Sequence, residues 1–442
     1  MVTRTLVKNC LTSAKSDIPE QVLLHAKKSL FNWLGVAIGA SRHTSVDMVL
    51  SLKDEIQSAG HASILGRSEK TDILLAALAN GMSSHIFDFD DTHLETINHP
   101  SGSVAPVVFA LGEKYGFSGE ALLRAFAIGC EAELRIGMAV YPSHYDLGWH
   151  ITSTTGVFGA AIAAGILLDL SEEQLLYALG IAGTQAGGVR EMFGTMTKPF
   201  HPGKAAQNGL LAALLARRGF TSSTQVLEAK RGFANVLAPS HSLEKVNANW
   251  GREWELLHNA FKPYACGIVL HPAIDACIAL REKADLSTVK EIKISVNPYV
   301  LELTGKPEPK TGLEGKFSIY HTAAIAFLEG DASQAQYDDA KVLDPRTLAL
   351  RQKVKPVADA AIREDMAVAS LTLIDGTKFE YTVEHATGSI HNPMGDQALA
   401  KKFMNLTVPI IGADNAALLV KTMYEFDRIS HLNEMLPYCR PN

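Results

Sequence analysis

Two lysines and a histidine lie close together in residues 197–209 (TKPFHPGKAAQNG). Lys198, His201 and Lys204 all fall within the first eight residues of this stretch, in a chain that is acidic as a whole. A helix rich in small residues is predicted to follow them, and the positive end of its dipole would add to their attraction for a carboxylate. Two prolines and a phenylalanine make the stretch stiff and partly apolar. We therefore favour an anion site over a solvated basic loop.

A third lysine, Lys262, begins the segment 262–267 (KPYACG). An apolar run follows it and is predicted to be a buried helix, so the Lys262 ammonium is a candidate for partial burial and pairing. Tyr320, within FSIYH at 317–321, could supply a phenol as an acid or a hydrogen-bond donor. A core tyrosine with a satisfied hydroxyl is the alternative interpretation.

Three aspartates and a threonine form the acidic segment 88–92 (DFDDT). The order Asp-x-Asp-x-Thr also matches the nucleophile motif of haloacid-dehalogenase-like phosphatases, in which Asp88 would attack phosphorus with Mg²⁺ bound. That motif needs a β-strand directly before it, whereas residues 72–87 have the apolar spacing of a helix. A magnesium-dependent phosphatase therefore stays only as a remote alternative. A site built from carboxylates alone lacks nearby ligands of suitable spacing.

Two histidines stand in settings that indicate turns, His99 in HPSG at 99–102 and His150 in GWH at 148–150. A single histidine is more often structural than catalytic. Two of them in such settings favour chemistry, because imidazole changes charge near neutral pH and can act as acid, base or hydrogen-bond donor to an anion.

Composition restricts the kinds of partner. The chain has 442 residues, of which 47% are hydrophobic and 20% charged, as in an ordinary globular protein of two or three domains. A net charge of −6 gives no general attraction for nucleic acid or an anionic membrane surface. We expect small molecules, or copies of the same chain, as partners.

The five cysteines are scattered and include no Cys-x-x-Cys pair, so they indicate reduced thiols rather than disulfides or a zinc ribbon. The N-terminus has no long apolar segment, and no later run has the length and composition of a membrane span. A cytoplasmic location is the expectation. There is no Walker A loop, and no Gly-x-Gly-x-x-Gly follows a predicted strand, so no nucleotide cofactor is indicated.

Apolar spacing predicts helices through most of the first 265 residues. The segments are 17–38 (with Asp17 and Glu20 as a capping box), 72–87, 119–140, 156–168, 172–183 and 208–218. Their abundance of alanine and glycine indicates close packing between helices.

The pattern changes near residue 285. Residues 289–297 alternate apolar and polar, and 366–384 consists of two such runs joined by an Asp-Gly turn signal. Helical stretches at 321–330 and 344–354 lie between the strands, and helix returns after residue 393. We predict an all-helical domain from residues 1–269 and 393–442, and an α+β domain from residues 270–392.

Several of these segments, taken together, resemble the MmgE/PrpD family, and the likeness extends over nearly the whole chain. They are DFDDT at 88–92, HPSG at 99–102, GWH at 148–150, TKPFHPGKAAQNG at 197–209, KPYACG at 262–267 and FSIYH at 317–321.

The resemblance implies a mainly α fold, with a large all-helical domain built from both chain ends plus a smaller α+β lid domain. It also implies a homodimer that works without a metal or an organic cofactor, and a pocket between domain and lid. The catalytic residues would be His99, His150, Lys198, Lys262 and Tyr320. The substrate-binding residues would be Asp88, Thr92, His201 and Lys204, with Asp88 orienting a histidine.

The family's chemistry moves a proton at a carbon next to a carboxylate, with loss of CO₂ or water or with reprotonation on the other face. The HPSG and KPYACG segments favour an aconitate decarboxylase that forms itaconate and CO₂. A dehydratase of the 2-methylcitrate or citrate type is the second possibility, since such enzymes tend to carry an acidic residue where this chain has Gly102. An epimerase of the iminodisuccinate type is the third.

Overall fold

The computed structural model describes residues 1–441, which form two compact units. The first unit comprises Met1–Ile86, Asp90–Ala260 and the chain from Leu399 onward, and the second comprises Phe87–Phe89 and Phe261–Ala398. The predicted domain boundaries, at 269/270 and 392/393, stay a prediction. The fold class is confirmed as mainly α, with a smaller α+β region.

The first unit is helical apart from two short strand pairs. Its helices are α1 (Val2–Ser13), α2 (Glu20–Gly39), α3 (Thr44–Glu55), α4 (Ile73–His85), α5 (Pro100–Tyr115), α6 (Gly119–Val140), α7 (Ser143–Asp146), α8 (Ile151–Leu167), α9 (Glu172–Gly183), α10 (Thr197–Arg217) and α11 (Phe233–Leu237). The strands are β1 (Ala62–Ser63), β2 (Lys70–Thr71), β3 (Thr92–His93) and β4 (Asn259–Ala260), paired antiparallel as β1–β2 and β3–β4.

The second unit contains a four-stranded sheet and six helices among the described residues. The helices are α12 (His271–Arg281), α13 (Pro298–Thr304), α14 (Gly312–Gly315), α15 (Ile319–Glu329), α16 (Asp339–Val342) and α17 (Pro345–Arg351). The strands are β5 (Val289–Val296), β6 (Val354–Ala358), β7 (Ala367–Leu373) and β8 (Lys378–Val383), in the order β6-β5-β7-β8. Only the β5–β6 pair is parallel. The last two α-helices are α18 (Asp396–Ile411) and α19 (Ala413–Tyr424), where the chain returns to the first unit at Leu399.

Both ends of the chain contribute to the first unit, as the resemblance implies. The ring of Phe403 in α18 stacks on Phe31 of α2, with centroids 4.5 Å apart. A Cβ on Gly35 of α2 would lie 2.8 Å from the Phe403 ring, so this contact depends on the absence of a side chain. The last helices therefore close over the second helix of the chain.

Glycines let α10 approach its two neighbours closely. A Cβ on Gly203 would lie 2.3 Å from the Leu78 carbonyl oxygen of α4, and a Cβ on Gly209 would lie 2.6 Å from the Val157 carbonyl oxygen of α8. No other residue type permits backbones to pack at these distances. The glycines of the 197–209 motif thus fix the position of the helix that carries Lys198 and His201.

The structure corrects two local predictions. The motif does not form a loop before a helix, because α10 already begins at Thr197. Pro199 lies in the first turn, where its missing N–H is not needed, and Pro202 is accommodated inside the helix. The capping box at Asp17 and Glu20 is also wrong, since α2 begins at Glu20 with no side-chain cap.

The hairpin prediction is confirmed. β7 and β8 pair antiparallel around Asp375 and Gly376, and Asp375 Oδ1 accepts a hydrogen bond of 2.9 Å from the Thr377 N–H. Gly376 has φ +91°, a conformation that glycine adopts without strain. As for a membrane span, none of the helices among residues 1–441 combines the length and the hydropathy that crossing a bilayer requires.

Candidate active site

An aspartate and two histidines form the centre of a buried polar cluster in the first unit. Asp90 Oδ2 lies 2.6 Å from His85 Nδ1 and 3.5 Å from His99 Nδ1. All three side chains are buried, and the two imidazole rings meet edge to face with centroids 4.8 Å apart. A carboxylate in this position accepts a hydrogen bond from His85 and so favours the tautomer with the proton on Nδ1.

The backbone sets the tautomer of His99. Its Nδ1 lies 2.8 Å from the Asp91 carbonyl oxygen, which can only accept, so Nδ1 carries the proton. The Thr92 hydroxyl lies 3.2 Å from the same nitrogen. In the neutral ring the lone pair is then on Nε2. His99 can accept a proton at that atom as a base and return it as an acid.

His150 and His201 form a second imidazole pair in the same unit. Their Nδ1 atoms are 2.9 Å apart, so one nitrogen donates and the other accepts. The His150 ring also stacks near His85, with centroids 5.8 Å apart, and meets Phe193 edge to face. The cluster therefore contains four histidines, His85, His99, His150 and His201, joined through ring contacts and hydrogen bonds.

Burial keeps the second pair neutral. Loss of solvent lowers the pKa of His150 well below its usual range, and the nearby His85 and Lys198 act in the same direction. The pKa of His201 is lowered to about 4, again mainly by burial, with His85 and Lys198 contributing. Both rings are thus uncharged near neutral pH, and their N–H groups can serve as hydrogen-bond donors.

Two helices begin at the cluster. His99 is the N-cap of the 16-residue α5, and His150 is the N-cap of the 17-residue α8. The His99 N–H donates to Thr152 Oγ1 of α8 at 3.1 Å, which ties the two helix starts together. The N-terminal end of a helix dipole stabilises negative charge and disfavours a protonated histidine. The arrangement suits an anionic ligand.

Asp91 is held by a hydrogen-bond network next to His99. Its Oδ2 accepts hydrogen bonds from Ser101 Oγ at 2.5 Å and from Asn259 Nδ2. Complete burial is the main cause that raises the pKa of Asp91 to about 7. Since its carbonyl oxygen accepts a hydrogen bond from the His99 Nδ1–H, Asp91 positions His99 through the backbone.

The lysines of α10 are both half-buried. The Lys198 ammonium lies 5.2 Å from the Phe193 ring centroid, next to the ring that contacts His150. The Lys204 ammonium lies further along the helix and donates to Gln207 Oε1 at 2.7 Å. Burial lowers the pKa of Lys204 from its usual value.

In the second unit, Lys262 is buried and pairs with Asp88. Its Nζ donates to the Asp88 carbonyl oxygen at 3.0 Å and to Oδ1 at 3.2 Å. Asp88 has φ +53°, a left-handed conformation that non-glycine residues rarely adopt. Close by in sequence, the Phe87 carbonyl oxygen accepts a hydrogen bond from Lys316 Nζ, which also donates to Gln334 at 2.7 Å. Two lysine ammonium groups thus hold the segment 87–89.

Tyr320 is the second residue of α15 and is half-buried. Its hydroxyl makes no hydrogen bond with the described residues, so the satisfied core tyrosine considered as an alternative does not apply. Its part in a reaction stays a prediction.

The structure brings four of the sequence-predicted residues into one cluster, namely Thr92, His99, His150 and His201. It pairs two others, Asp88 and Lys262, in the second unit. Sequence reasoning missed His85, Asp90 and Lys316. Asp90 could have been suspected from its place inside DFDDT, but nothing in the sequence distinguished it from Asp88, which accepts a hydrogen bond from Lys262. His85 lacked any turn or motif around it.

The condition set for a phosphatase is not met. The segment before Asp88 is helix α4, not a strand that ends at a sheet edge. The Asp88 carboxylate moreover accepts a hydrogen bond from Lys262.

A mainly α fold with a small α+β unit, and a cluster of four buried histidines in which Asp90 lies beside His85 and His99, define a class of helical proteins with an internal acid–base cluster. The chain belongs to the MmgE/PrpD family. The family's N-terminal domain matches residues 4–245 and its C-terminal domain matches residues 264–425.

Curated relatives span most of the chain. A cis-aconitate decarboxylase from Homo sapiens is 30% identical over 427 residues, which cover 91% of this chain and 87% of the relative. A cis-aconitate decarboxylase from Aspergillus terreus is 26% identical over 454 residues, or 96% and 92% of the two chains. A 2-methylcitrate dehydratase from Cupriavidus necator is 26% identical over 363 residues, or 74% and 73%.

Proposed function

We propose that this protein is a lyase that acts on an aconitate-like di- or tricarboxylate, with loss of CO₂ as its main reaction. From cis-aconitate it would form itaconate. The similarity to decarboxylases over more than nine tenths of the chain supports this choice, and the dehydratase relative supports loss of water as the alternative. An epimerase is the third possibility. Function without a cofactor, a homodimer and a cytoplasmic location stay predictions.

The observation that carries the proposal is the tautomer of His99. Because Nδ1 donates to the Asp91 carbonyl oxygen, any proton exchanged with a substrate must pass through Nε2. Asp90, 3.5 Å from Nδ1, stabilises the imidazolium that is needed when His99 acts as an acid. His99 and Asp90 together could therefore transfer a proton repeatedly at one carbon of the substrate.

In decarboxylation, His99 Nε2–H would protonate the alkene CH carbon of cis-aconitate. The π electrons of the original double bond would form the new C–H bond. The electron pair of the C–CO₂⁻ bond on the CH₂ group, across the central carbon, would form the new double bond as CO₂ leaves. The proton consumed would be replaced from solvent. Proton delivery by a positioned group of this kind contributes about 10²–10⁴ in rate.

A substrate with several carboxylates loses much hydration energy on binding and needs cations and donors in return. In the first unit, Lys198, the N–H groups of neutral His150 and His201, and the starts of α5 and α8 could supply them. The resemblance adds Lys262, Tyr320, Asp88 and Lys204 to the set, and their participation is part of the proposal.

Dehydration would use the same histidine cluster of the first unit, with one ring as the base and another as the acid. His99 Nε2 would remove a proton next to a carboxylate, and a second ring would protonate the departing hydroxyl. His85 is a candidate for the second role, since its buried Nε2 has no hydrogen-bond partner among residues 1–441.

The test is to incubate the purified protein with cis-aconitate, trans-aconitate or 2-methylcitrate and to follow products by NMR. We expect itaconate and CO₂ from cis-aconitate. Water addition to cis-aconitate, or loss of water from 2-methylcitrate, would instead assign a hydro-lyase. No turnover of any of the three would reject the substrate class.

The lysines can be tested separately from the acid–base step. Lys198→Met and Lys262→Met each remove a cation while retaining most of the aliphatic length, and we expect a raised KM for the carboxylate substrate. Lys245→Met in a 3-10 turn, Leu243–Val246, is the matched exposed control. Unchanged kinetics in both site variants would refute their place in the substrate set.

A further inference from the structure

Two histidines and a glutamate that the proposed reaction does not use lie together in the first unit. His93 ends β3, while Glu255 and His258 bound the 3-10 turn Glu255–His258 that leads directly into β4. β3 and β4 pair antiparallel, with His93 opposite Asn259. The backbone pairing thus brings three potential metal ligands from distant parts of the sequence to one place.

The ligand atoms converge on a small volume. Glu255 Oε2 lies 3.4 Å from His93 Nε2 and 3.3 Å from His258 Nδ1, and all three ligand atoms lie within 4.8 Å of one another. In a tetrahedral zinc site with bonds of about 2.0–2.1 Å, neighbouring ligand atoms are about 3.3 Å apart. Two of the three separations already have that value.

His93 provides a second, independent indication. Its side chain is fully buried, and its Nε2 has no hydrogen-bond partner among the described residues although it is directed at the Glu255 carboxylate. The other nitrogen, Nδ1, lies 2.8 Å from Thr96 Oγ1. If Nδ1–H donates to that hydroxyl, Nε2 presents a lone pair. A buried acceptor left unpaired costs stability unless something binds it.

We propose that His93 Nε2, Glu255 Oε2 and His258 Nδ1 bind one divalent transition-metal ion, with zinc as the best fit and water as the fourth ligand. Two imidazoles and one carboxylate form a known ligand set for zinc, whereas magnesium and calcium prefer oxygen ligands alone. His258 is exposed, so the ion and its water have access from solvent.

Such an ion would act on structure rather than on the reaction. It would link β3 to the turn that precedes β4, next to the segment that supports His99 through the Asp91 carbonyl oxygen and the Thr92 hydroxyl. Zinc would therefore stabilise the segment 91–99 and with it the orientation of His99. The inference does not depend on which substrate the enzyme uses.

The experiment is calorimetric titration of the chelator-treated full-length protein with Zn²⁺, with Co²⁺ absorption as a check of four-coordinate geometry. We expect one class of sites that is lost in His258→Ala, because this exposed residue can be truncated without disturbing the core. Thr96→Val should retain the site but weaken it about tenfold or more, since it removes the partner that orients His93. His241→Ala, an exposed histidine bonded to Asn235, is the matched control and should bind as the wild type does.

A melting temperature measured with and without Zn²⁺ gives a second readout. Binding to the folded state raises the melting temperature of the wild type and of His241→Ala, but not that of His258→Ala. If the histidines of the active-site cluster account for all the bound zinc, binding will be the same in His258→Ala and the assignment is overturned. Absence of any zinc binding to the wild type overturns it as well.

Discussion

Asp90 Oδ2 and His85 Nδ1 lie 2.6 Å apart, with both side chains fully buried. A carboxylate at this distance accepts a hydrogen bond from the imidazole and holds it in one tautomer. The neighbouring His99 Nδ1 is 3.5 Å from the same oxygen, so one aspartate serves two rings.

Replacing this carboxylate tests the acid–base cluster. We expect Asp90→Asn to lower kcat by about 10²–10⁴, because the amide cannot stabilise an imidazolium as the charged group does. Steady-state kinetics on the accepted substrate measures the loss, and circular dichroism shows whether the fold is retained. The matched control is Asp54→Asn on the exposed face of α3, which should leave kcat unchanged. A kcat within about twofold of wild type in Asp90→Asn would contradict the role of Asp90.

The direction of proton transfer from His99 gives a sharper prediction. In His99→Asn the side-chain amide can still donate to the Asp91 carbonyl oxygen, as Nδ1–H does, but the atom corresponding to Nε2 is gone. We therefore expect kcat to fall by about 10²–10⁴ with little change in melting temperature. The limb of the pH–rate profile that reports this histidine should disappear from the residual activity. The control is His241→Asn at an exposed histidine. The assignment would be refuted if His99→Asn lowered the folded fraction but left the kcat of the folded molecules unchanged.

Acid stability should report the buried histidine pair. The pKa of His201 is lowered to about 4, whereas an unfolded chain titrates near its usual 6.5. Between these values the unfolded state binds more protons, so the free energy of unfolding falls as pH drops from 6.5 towards 4. Of the groups around this ring, His85 and Lys198 oppose a further positive charge, and His150 shares a hydrogen bond with it.

We therefore expect His201→Asn to lose less stability than wild type over this range, although His150 retains the same tendency. Urea unfolding at a series of pH values measures the difference. Parallel curves for the two proteins would show that His201 has no depressed pKa.

Packing between α4 and α10 can be tested with a single methyl group. Gly203→Ala would place its Cβ 2.3 Å from the Leu78 carbonyl oxygen. This clash can be removed only if the backbone of α4 or α10 moves. We expect a loss of about 1–3 kcal/mol in the free energy of unfolding, together with reduced activity as Lys198 and His201 shift. Gly395→Ala meets no atom within 4 Å and is the neutral control. Equal stability of the two variants would show that α10 is not held by this contact.

Apolar spacing and turn signals were sufficient for many of the longer elements. Helix α6 was predicted residue for residue, and the Asp375-Gly376 hairpin was found from its turn chemistry and alternation. These features depend on residues that are close in sequence, so they can be predicted from the sequence alone. The start of α10 was missed because Pro199 and Pro202 are ordinarily loop signals, and only packing against α4 and α8 makes the helix favourable there.

The sequence by itself determined the family, the mainly α class and the chemical types of the site, because motif residues and periodicity are local properties of the chain. The sequence could not determine which carboxylate pairs with the lysine and which pairs with the histidine. Asp88 and Asp90 are two residues apart and equal in type, yet one pairs with Lys262 and the other with His85. Hydrogen bonds and burial depend on where the backbone places each group, and those positions exist only after the chain has folded.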